Sequence, residues 1–230
     1  MAYHDAMRKR DYGQFCGLAR AAEVLGQRWT LLILRDLMVG SRRYSDLAAG
    51  LPGIPSNLLS TRLKELEQDG LVAREVRQGS DHSIVYALTP RGRELEPVLV
   101  AISRWGAAGM HRPRDGEIVT EASLVSALRV ASTGAAVPDR SLTFTIEVAD
   151  VVAHARIRDG VVTIGGGSSE NPDLVIVGGP AFRDLLAGVV DPAAALSDGT
   201  VAVEGDPDLL PIFTSIFSVP YSEHVMTSED

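Results

Sequence analysis

Residues 54–88 read IPSNLLSTRLKELEQDGLVAREVRQGSDHSIVYAL, an amphipathic helix running straight into two short strands joined by a basic, glycine-containing turn. Stepping about 100° per residue from Leu59 brings Leu63 and Leu66 within about 40° of it and gathers Asn57, Ser60, Thr61, Lys64 and Gln68 on the opposite side. One face packs and the other is free to touch a partner. That free face carries short donors and acceptors and one lysine, where an ordinary solvated helix more often carries Glu and Lys. Such a face suits base edges and phosphates in a major groove that admits a single helix. Helix, strand, basic turn and strand together predict a winged helix-turn-helix DNA reader.

Working upstream, Gly17 to Leu25 and Thr30 to Met38 read as helices, the second (TLLILRDLM) nearly all apolar and so central and buried. Gly40 stops it, a short helix follows over Tyr44 to Ala49, and Pro52, Gly53 and Pro55 turn the chain into the recognition helix, which starts near Pro55 or Ser56. Gly70 ends that helix. Leu71 to Val76 and Ser83 to Leu88 are the wing strands, with RQGSDHS between them. Downstream, Thr89 and Pro90 stand as N-cap and first position of a long helix to about Met110, kinked at Pro97, with Leu95, Leu99, Ile102 and Trp105 along one stripe. Winged-helix readers bind half-sites as dimers, so this stripe is expected to meet the same helix of a second chain. Covering its own core is the plainer use of such a stripe.

The net charge of −8 looks unsuited to nucleic acid until it is divided. Residues 1–113 hold 16 Lys+Arg against 12 Asp+Glu, and residues 114–230 hold 6 against 18. The basic half is the DNA candidate, and the acidic half should repel a phosphate backbone. HRPRDGE, residues 111–117, is the polar joint between them. Two domains are expected, residues 1–112 and 113–230, and 45% hydrophobic residues suffice for two cores.

Beyond the joint, a helix over Glu121 to Ala131 precedes a β-rich stretch. LTFTIEV (residues 142–148) alternates apolar and polar positions, and HARIR meets VVTIG across the Asp159-Gly160 hairpin turn. DLVIV and TVAVEG read as further strands, with helical patterns over Pro180 to Val189, Pro192 to Leu196 and Pro207 to Phe217. The second half is therefore α+β, its apolar helices laid over one face of a sheet.

CGLARAAEVLGQRWTLLILRDLMVGSRRYSDLAAGLPGIPSNLLSTRLKELEQDGLVAREV, followed by YALTPRGREL, resembles the HxlR-type winged-helix regulators, relatives of the MarR group, over about residues 14–110. Cys16, RWT (28–30), RRYSDL (42–47), RLKELEQDGLV (62–72) and LTPRG (88–92) fall in family order and spacing. The resemblance implies a dimeric DNA-binding transcription factor, repressor or activator. The wing departs from the family, which often has prolines where this chain has Gly79, Ser80, Asp81 and His82. The acidic half, through NPDLVIVGGPAFRDLLAG and DPAAALSDGTVAVEGDPDLL, resembles a sterol-carrier-protein type-2-like domain over about Leu142 to Phe217. That resemblance implies shelter for fatty acyl chains or other apolar molecules.

The expected architecture is thus a mainly α winged helix-turn-helix followed by an α+β sterol-carrier-like domain. DNA contacts are expected from Ser56, Asn57, Ser60, Thr61 and Lys64 on the helix, Arg74 and Arg77 in the wing, and Arg42 and Arg43 beside a helix start. Dimerisation is expected through Leu95, Leu99, Ile102 and Trp105. Phe144, Phe182, Leu186, Phe213 and Phe217 are the candidates for an apolar ligand site, although most such residues serve as core. Arg62 flanks the packed face and reads as structural, and Cys16, beside apolar helices, as an inert core residue more readily than a redox sensor. No histidine/cysteine pair has zinc spacing and no nucleophile sits in a recognisable motif, so neither a catalytic nor a metal site, a cofactor nor an enzymatic activity is expected. With no leader and no apolar run of 18 residues, the expected partners are an operator duplex, a second copy and a small hydrophobic ligand such as a fatty acyl compound, with no membrane, in the cytoplasm. Two other readings stand open: a ligand-independent regulator using its second domain to dimerise, and a lipid carrier with a vestigial DNA-binding domain.

Overall fold

The computed structural model describes residues 11–77, 83–110, 114–179 and 181–219. The chain divides into two compact units, Met1–Glu96 and Pro97–Asp230.

Helices α1 (Gly17–Leu25), α2 (Thr30–Val39), α3 (Tyr44–Gly50) and α4 (Ser56–Gln68) open the first unit. α2 is central because its sequence offers almost no wet side: Ile33, Leu34 and Leu37 are buried, and so are Thr30 and Asp36. The Asp36 carboxylate is tolerated there because Arg35 Nε and Nη2 donate to its Oδ1 at 2.9 and 2.7 Å, a buried charge requiring a partner. On α4, Leu59, Leu63 and Leu66 are the buried residues, the face the 3.6-residue period selects. Gly70, at φ +70°, closes that helix in the left-handed conformation, with Leu71 N donating to Leu66 O at 2.9 Å.

Strands β1 (Val72–Val76) and β2 (Ile84–Leu88) pair antiparallel, Val72 opposite Leu88 and Val76 opposite Ile84. The tip of the expected wing, with His82, falls on residues 78–82 outside the described ones. The hairpin has a third contributor: Arg42 N donates to Tyr86 O at 3.0 Å and Tyr86 N to Arg42 O at 2.7 Å.

The helix expected from Thr89 to Met110 is instead two, α5 (Pro90–Arg93) and α6 (Glu96–Ala108). Thr89 caps α5, its Oγ1 accepting from Gly92 N at 3.1 Å. The break lies just before Pro97, which has no N–H for the Arg93 carbonyl and whose ring would clash with it. In the first turn of a new helix the same proline is at ease.

In the second unit α7 (Glu121–Ala131) is held by a reciprocal cap, Ser123 N donating to Thr120 Oγ1 at 3.2 Å and Thr120 N to Ser123 Oγ at 2.8 Å. Strands β3 (Leu142–Val148), β4 (Val151–Arg158), β5 (Val161–Gly166), β6 (Leu174–Gly178) and β7 (Val201–Gly205) form one sheet in the order β5-β4-β3-β6-β7. Only β3 and β6 run parallel among its neighbouring strands. Asp159 and Gly160 both take positive φ, +50° and +72°, as the tightest hairpin turn requires.

Helices α8 (Phe182–Leu186), α9 (Pro192–Ser197) and α10 (Leu209–Ile216) complete the unit. Leu142, Phe144, Ile146 and Val148 present one buried face of β3, and Phe213 of α10 meets Phe144 edge-on at 5.3 Å between ring centres. Gly178 pairs with Val148 on that face, and a Cβ there would lie 2.8 Å from Phe182 Cβ, so α8 approaches the same side. Glu121 of α7 lies over Gly166, on the face shared with Ala153. The arrangement is the α+β layering expected, with a mixed sheet and helices against one face. No helix among the described residues is long and apolar enough to cross a membrane.

Candidate nucleic-acid interface

The outward face of α4 is built from five exposed polar residues, Ser56, Asn57, Ser60, Thr61 and Lys64. Burial of Leu59, Leu63 and Leu66 on the other side fixes which residues can reach a partner. Their local hydrogen bonds are specific. Ser60 Oγ donates to Ser56 O at 3.0 Å and Thr61 Oγ1 to Asn57 O at 2.8 Å, the back-bonding that helical hydroxyls make one turn upstream. Asn57 Oδ1 accepts from Leu58 N at 2.9 Å.

Sequence reading passed over Tyr44, the first residue of α3. Its phenol donates to Ser56 O at 2.7 Å and stands 3.3 Å from Ser60 Oγ, so it ties α3 to the first turn of α4. The partners are 12 and 16 residues away, a separation that periodicity cannot read.

The cations expected around the helix are placed in different ways. Arg74 is engaged: Nε lies 3.0 Å from Glu67 Oε1 and the guanidinium 5.4 Å from the centre of the Tyr86 ring. Arg77 is exposed, at the start of the hairpin turn, where its N donates to Ser83 O at 2.9 Å. Arg42 joins the wing strands through the Tyr86 bridge, and Arg43 N donates to Asp46 Oδ2 at 3.1 Å, securing the start of α3. Arg62 is mostly buried and turned inward, bonded to Gln27 Oε1 at 3.1 Å, to Arg28 O and to Glu65. Its structural reading from sequence fits that placement.

Away from α4, the stripe expected for dimerisation is divided. Leu99 is buried and Leu95 half-buried, whereas Ile102 is exposed and Trp105 is 83% exposed. A second apolar exposure, missed from sequence, lies at α1: Phe15 is fully exposed and Leu18 is 79% exposed. In the second unit Phe144, Phe182, Leu186, Phe213 and Phe217 are all buried. Phe213 stacks on Phe217 at 4.6 Å and lies 6.2 Å from Phe182, so these aromatic rings meet one another.

Sequence comparison matches part of the chain to helix-turn-helix transcriptional regulators. The HTH-type transcriptional regulator YvaP of Bacillus subtilis is 43% identical over 86 residues, 37% of this chain and 80% of that one. The HTH-type transcriptional regulator sll1512 of Synechocystis is 37% identical over 95 residues, 41% of this chain and 70% of that one. Among solved structures, the reduced form of the transcriptional regulator YodB from B. subtilis is 34% identical, covering 44% of this chain and all of that chain with a TM-score of 0.37. The second unit lies largely beyond the residues matched by the family. Residues 24–113 match the HxlR-like helix-turn-helix family, and with relatives this similar over most of their own length the chain belongs to that family.

Proposed function

We propose that the chain is a homodimeric transcription regulator that reads an operator with α4 and shelters a small apolar ligand in its acidic half. The observation that carries the DNA reading is the exposed polar face of α4, backed by three buried leucines and flanked by a hairpin that carries Arg74 and Arg77. Ser56, Asn57, Ser60, Thr61 and Lys64 are the groove-facing residues. Arg42, Arg43, Arg74 and Arg77 lie against phosphates, and the names of the relatives, transcriptional regulators all, support the assignment. A reader of this kind covers one half-site per protomer, with half-sites spaced by about one helical turn of DNA or a multiple of it.

The test is protection mapping on the DNA upstream of the chain's own gene, with full-length protein and the Asn57→Ala, Lys64→Ala double variant. A protected, two-fold related site that the double variant loses while keeping its melting curve supports the reading. Normal binding by the variant removes α4 from the interface.

The ligand rests on the α+β architecture of the second unit and on its sequence resemblance to lipid-sheltering domains. The mutual packing of Phe144, Phe182, Phe213 and Phe217 favours a second reading, in which this half is a closed module that adds no sensing. Organic extraction of the purified protein separates them, since a sheltering domain carries an apolar molecule through purification and a closed one does not.

A further inference from the structure

The groove-facing hydroxyls of α4 have their protons committed. A hydroxyl offers one proton and two lone pairs. With Ser60 Oγ donating to Ser56 O at 3.0 Å and Thr61 Oγ1 donating to Asn57 O at 2.8 Å, both present lone pairs alone to a duplex. One turn upstream the polarity is opposite. Asn57 Oδ1 already accepts from Leu58 N at 2.9 Å, its NH₂ group is the side chain's donor, and Lys64 one turn downstream is a donor by chemistry.

Tyr44 stabilises this pattern from outside the helix. Its phenol gives its proton to Ser56 O at 2.7 Å, the carbonyl that Ser60 also uses, and its oxygen is a second acceptor for the Ser60 Oγ proton at 3.3 Å. The phenol therefore holds both the first turn of α4 and the orientation of the Ser60 side chain. Tyr44 is itself half-buried, whereas Ser60 and Thr61 are exposed.

Resting on the DNA-reading assignment, we infer that Ser60, held by Tyr44 as a positioning residue, and Thr61 read the operator as hydrogen-bond acceptors and so select, on the strand they contact, adenine or cytosine, whose amino groups lie in the major groove, over guanine or thymine. In that groove the amino donors are adenine N6 and cytosine N4, while guanine O6, thymine O4 and purine N7 are acceptors. Asn57 and Lys64, as donors, face those acceptors on either side. The order along the helix is donor, acceptor, donor.

The experiment begins by selecting preferred duplexes from a random pool with the full-length chain, which yields the probe. Single functional groups of that probe are then removed: adenine is replaced by purine, cytosine by 2-pyrimidinone, and guanine by 7-deazaguanine. Affinities are measured for wild type, Ser60→Ala, Thr61→Val and Tyr44→Phe, alongside an unrelated duplex. Removing the one or two amino groups under Ser60 and Thr61 should weaken wild-type binding about fivefold or more each, the low end of the range for a specific base contact. Ser60→Ala or Thr61→Val should then be indifferent to the loss of its own amino group. Tyr44→Phe should bind the unrelated duplex as wild type does while its discrimination at those positions drops severalfold.

Losses that simply multiply between Ser60→Ala, Thr61→Val and each amino deletion overturn the inference, as does sensitivity confined to N7 groups at these positions. Unchanged discrimination by Tyr44→Phe overturns the positioning role. Ser60→Ala and Thr61→Val alter exposed side chains and carry the test even if Tyr44→Phe folds poorly. A pool that yields no preferred sequence overturns the DNA reading itself, an outcome distinct from a preferred sequence that is blind to its amino groups.

Discussion

Trp29 takes φ +78° immediately before α2, in the left-handed region that bulky residues avoid at a cost of order 1–3 kcal/mol. Its neighbours fix it there. Arg28 lies 5.3 Å from the centre of its ring, and Arg62, reaching from α4, bonds to Gln27 Oε1 and Arg28 O in the same turn. Cys16, the N-cap residue of α1 and expected in the core, is instead exposed. The N–H of Ala19, and after it that of Leu18, hold its thiol pKa below the ordinary cysteine value. A group whose pKa is lowered by folding adds its stability above the unfolded pKa and loses it as pH falls through the folded one. Alkylation of Cys16 by iodoacetamide should therefore reach half its maximal rate at a lower pH in the native chain than in the urea-unfolded chain. Coincident profiles would show that the amides do not act on the sulfur. At this scale the sequence was legible where chemistry and period sufficed, as for the polar face of α4 and the inward Arg62. It was silent on Tyr44, whose role depends on a carbonyl 12 residues away.

At the scale of elements, α4 was legible because three independent signals coincide there: leucines at helical spacing, proline before the first turn and glycine after the last. The Asp159-Gly160 hairpin was legible because its turn residues tolerate positive φ. The β3–β4 turn was not, since Ala149 supplies the positive φ, at +52°, with no glycine to announce it. The helical pattern over Pro180 to Val189 narrows to Phe182–Leu186 because Gly188, at φ +68°, turns the chain so that Val189 N bonds back to Asp184 O. α6 carries the element-level prediction. Its exposed Ile102 and Trp105 are a poor surface to leave in water, at about 25 cal/mol for each Å² of apolar area, and we expect a second copy to cover them. Ile102→Glu with Trp105→Glu should convert a dimer into a folded monomer in sedimentation velocity and weaken operator binding, because one protomer spans one half-site. A variant that still sediments as a dimer, or a wild-type chain that is monomeric, excludes this face.

For the whole molecule, the division of charge is the organising fact. An excess of four positive charges in residues 1–113 and of twelve negative charges in residues 114–230 places the attraction for phosphate entirely in the DNA-binding half. The acidic half must then act, if it acts on DNA binding, through its conformation. An apolar ligand that enters between the sheet and α8 or α10 has to part Phe213 from Phe144, Phe182 and Phe217, which now fill one another's space. Phe213→Ala should make that entry easier. It removes a fully buried ring at a loss of about 3–5 kcal/mol of stability, and an empty apolar cavity of that kind takes up apolar guests. If the proposed ligand site lies here, the variant should melt lower than wild type without ligand yet bind palmitate more tightly and be raised further by it. Sensing adds a second requirement. Whatever factor palmitate takes from operator affinity, the operator must take from palmitate affinity, and a tenfold change corresponds to about 1.4 kcal/mol of coupling. Both titrations on the full-length chain, each with and without the other ligand, check this directly. Palmitate binding with no change in operator affinity would make the acidic half a carrier, and a Phe213→Ala variant that loses stability but gains no affinity would place any ligand away from this aromatic cluster.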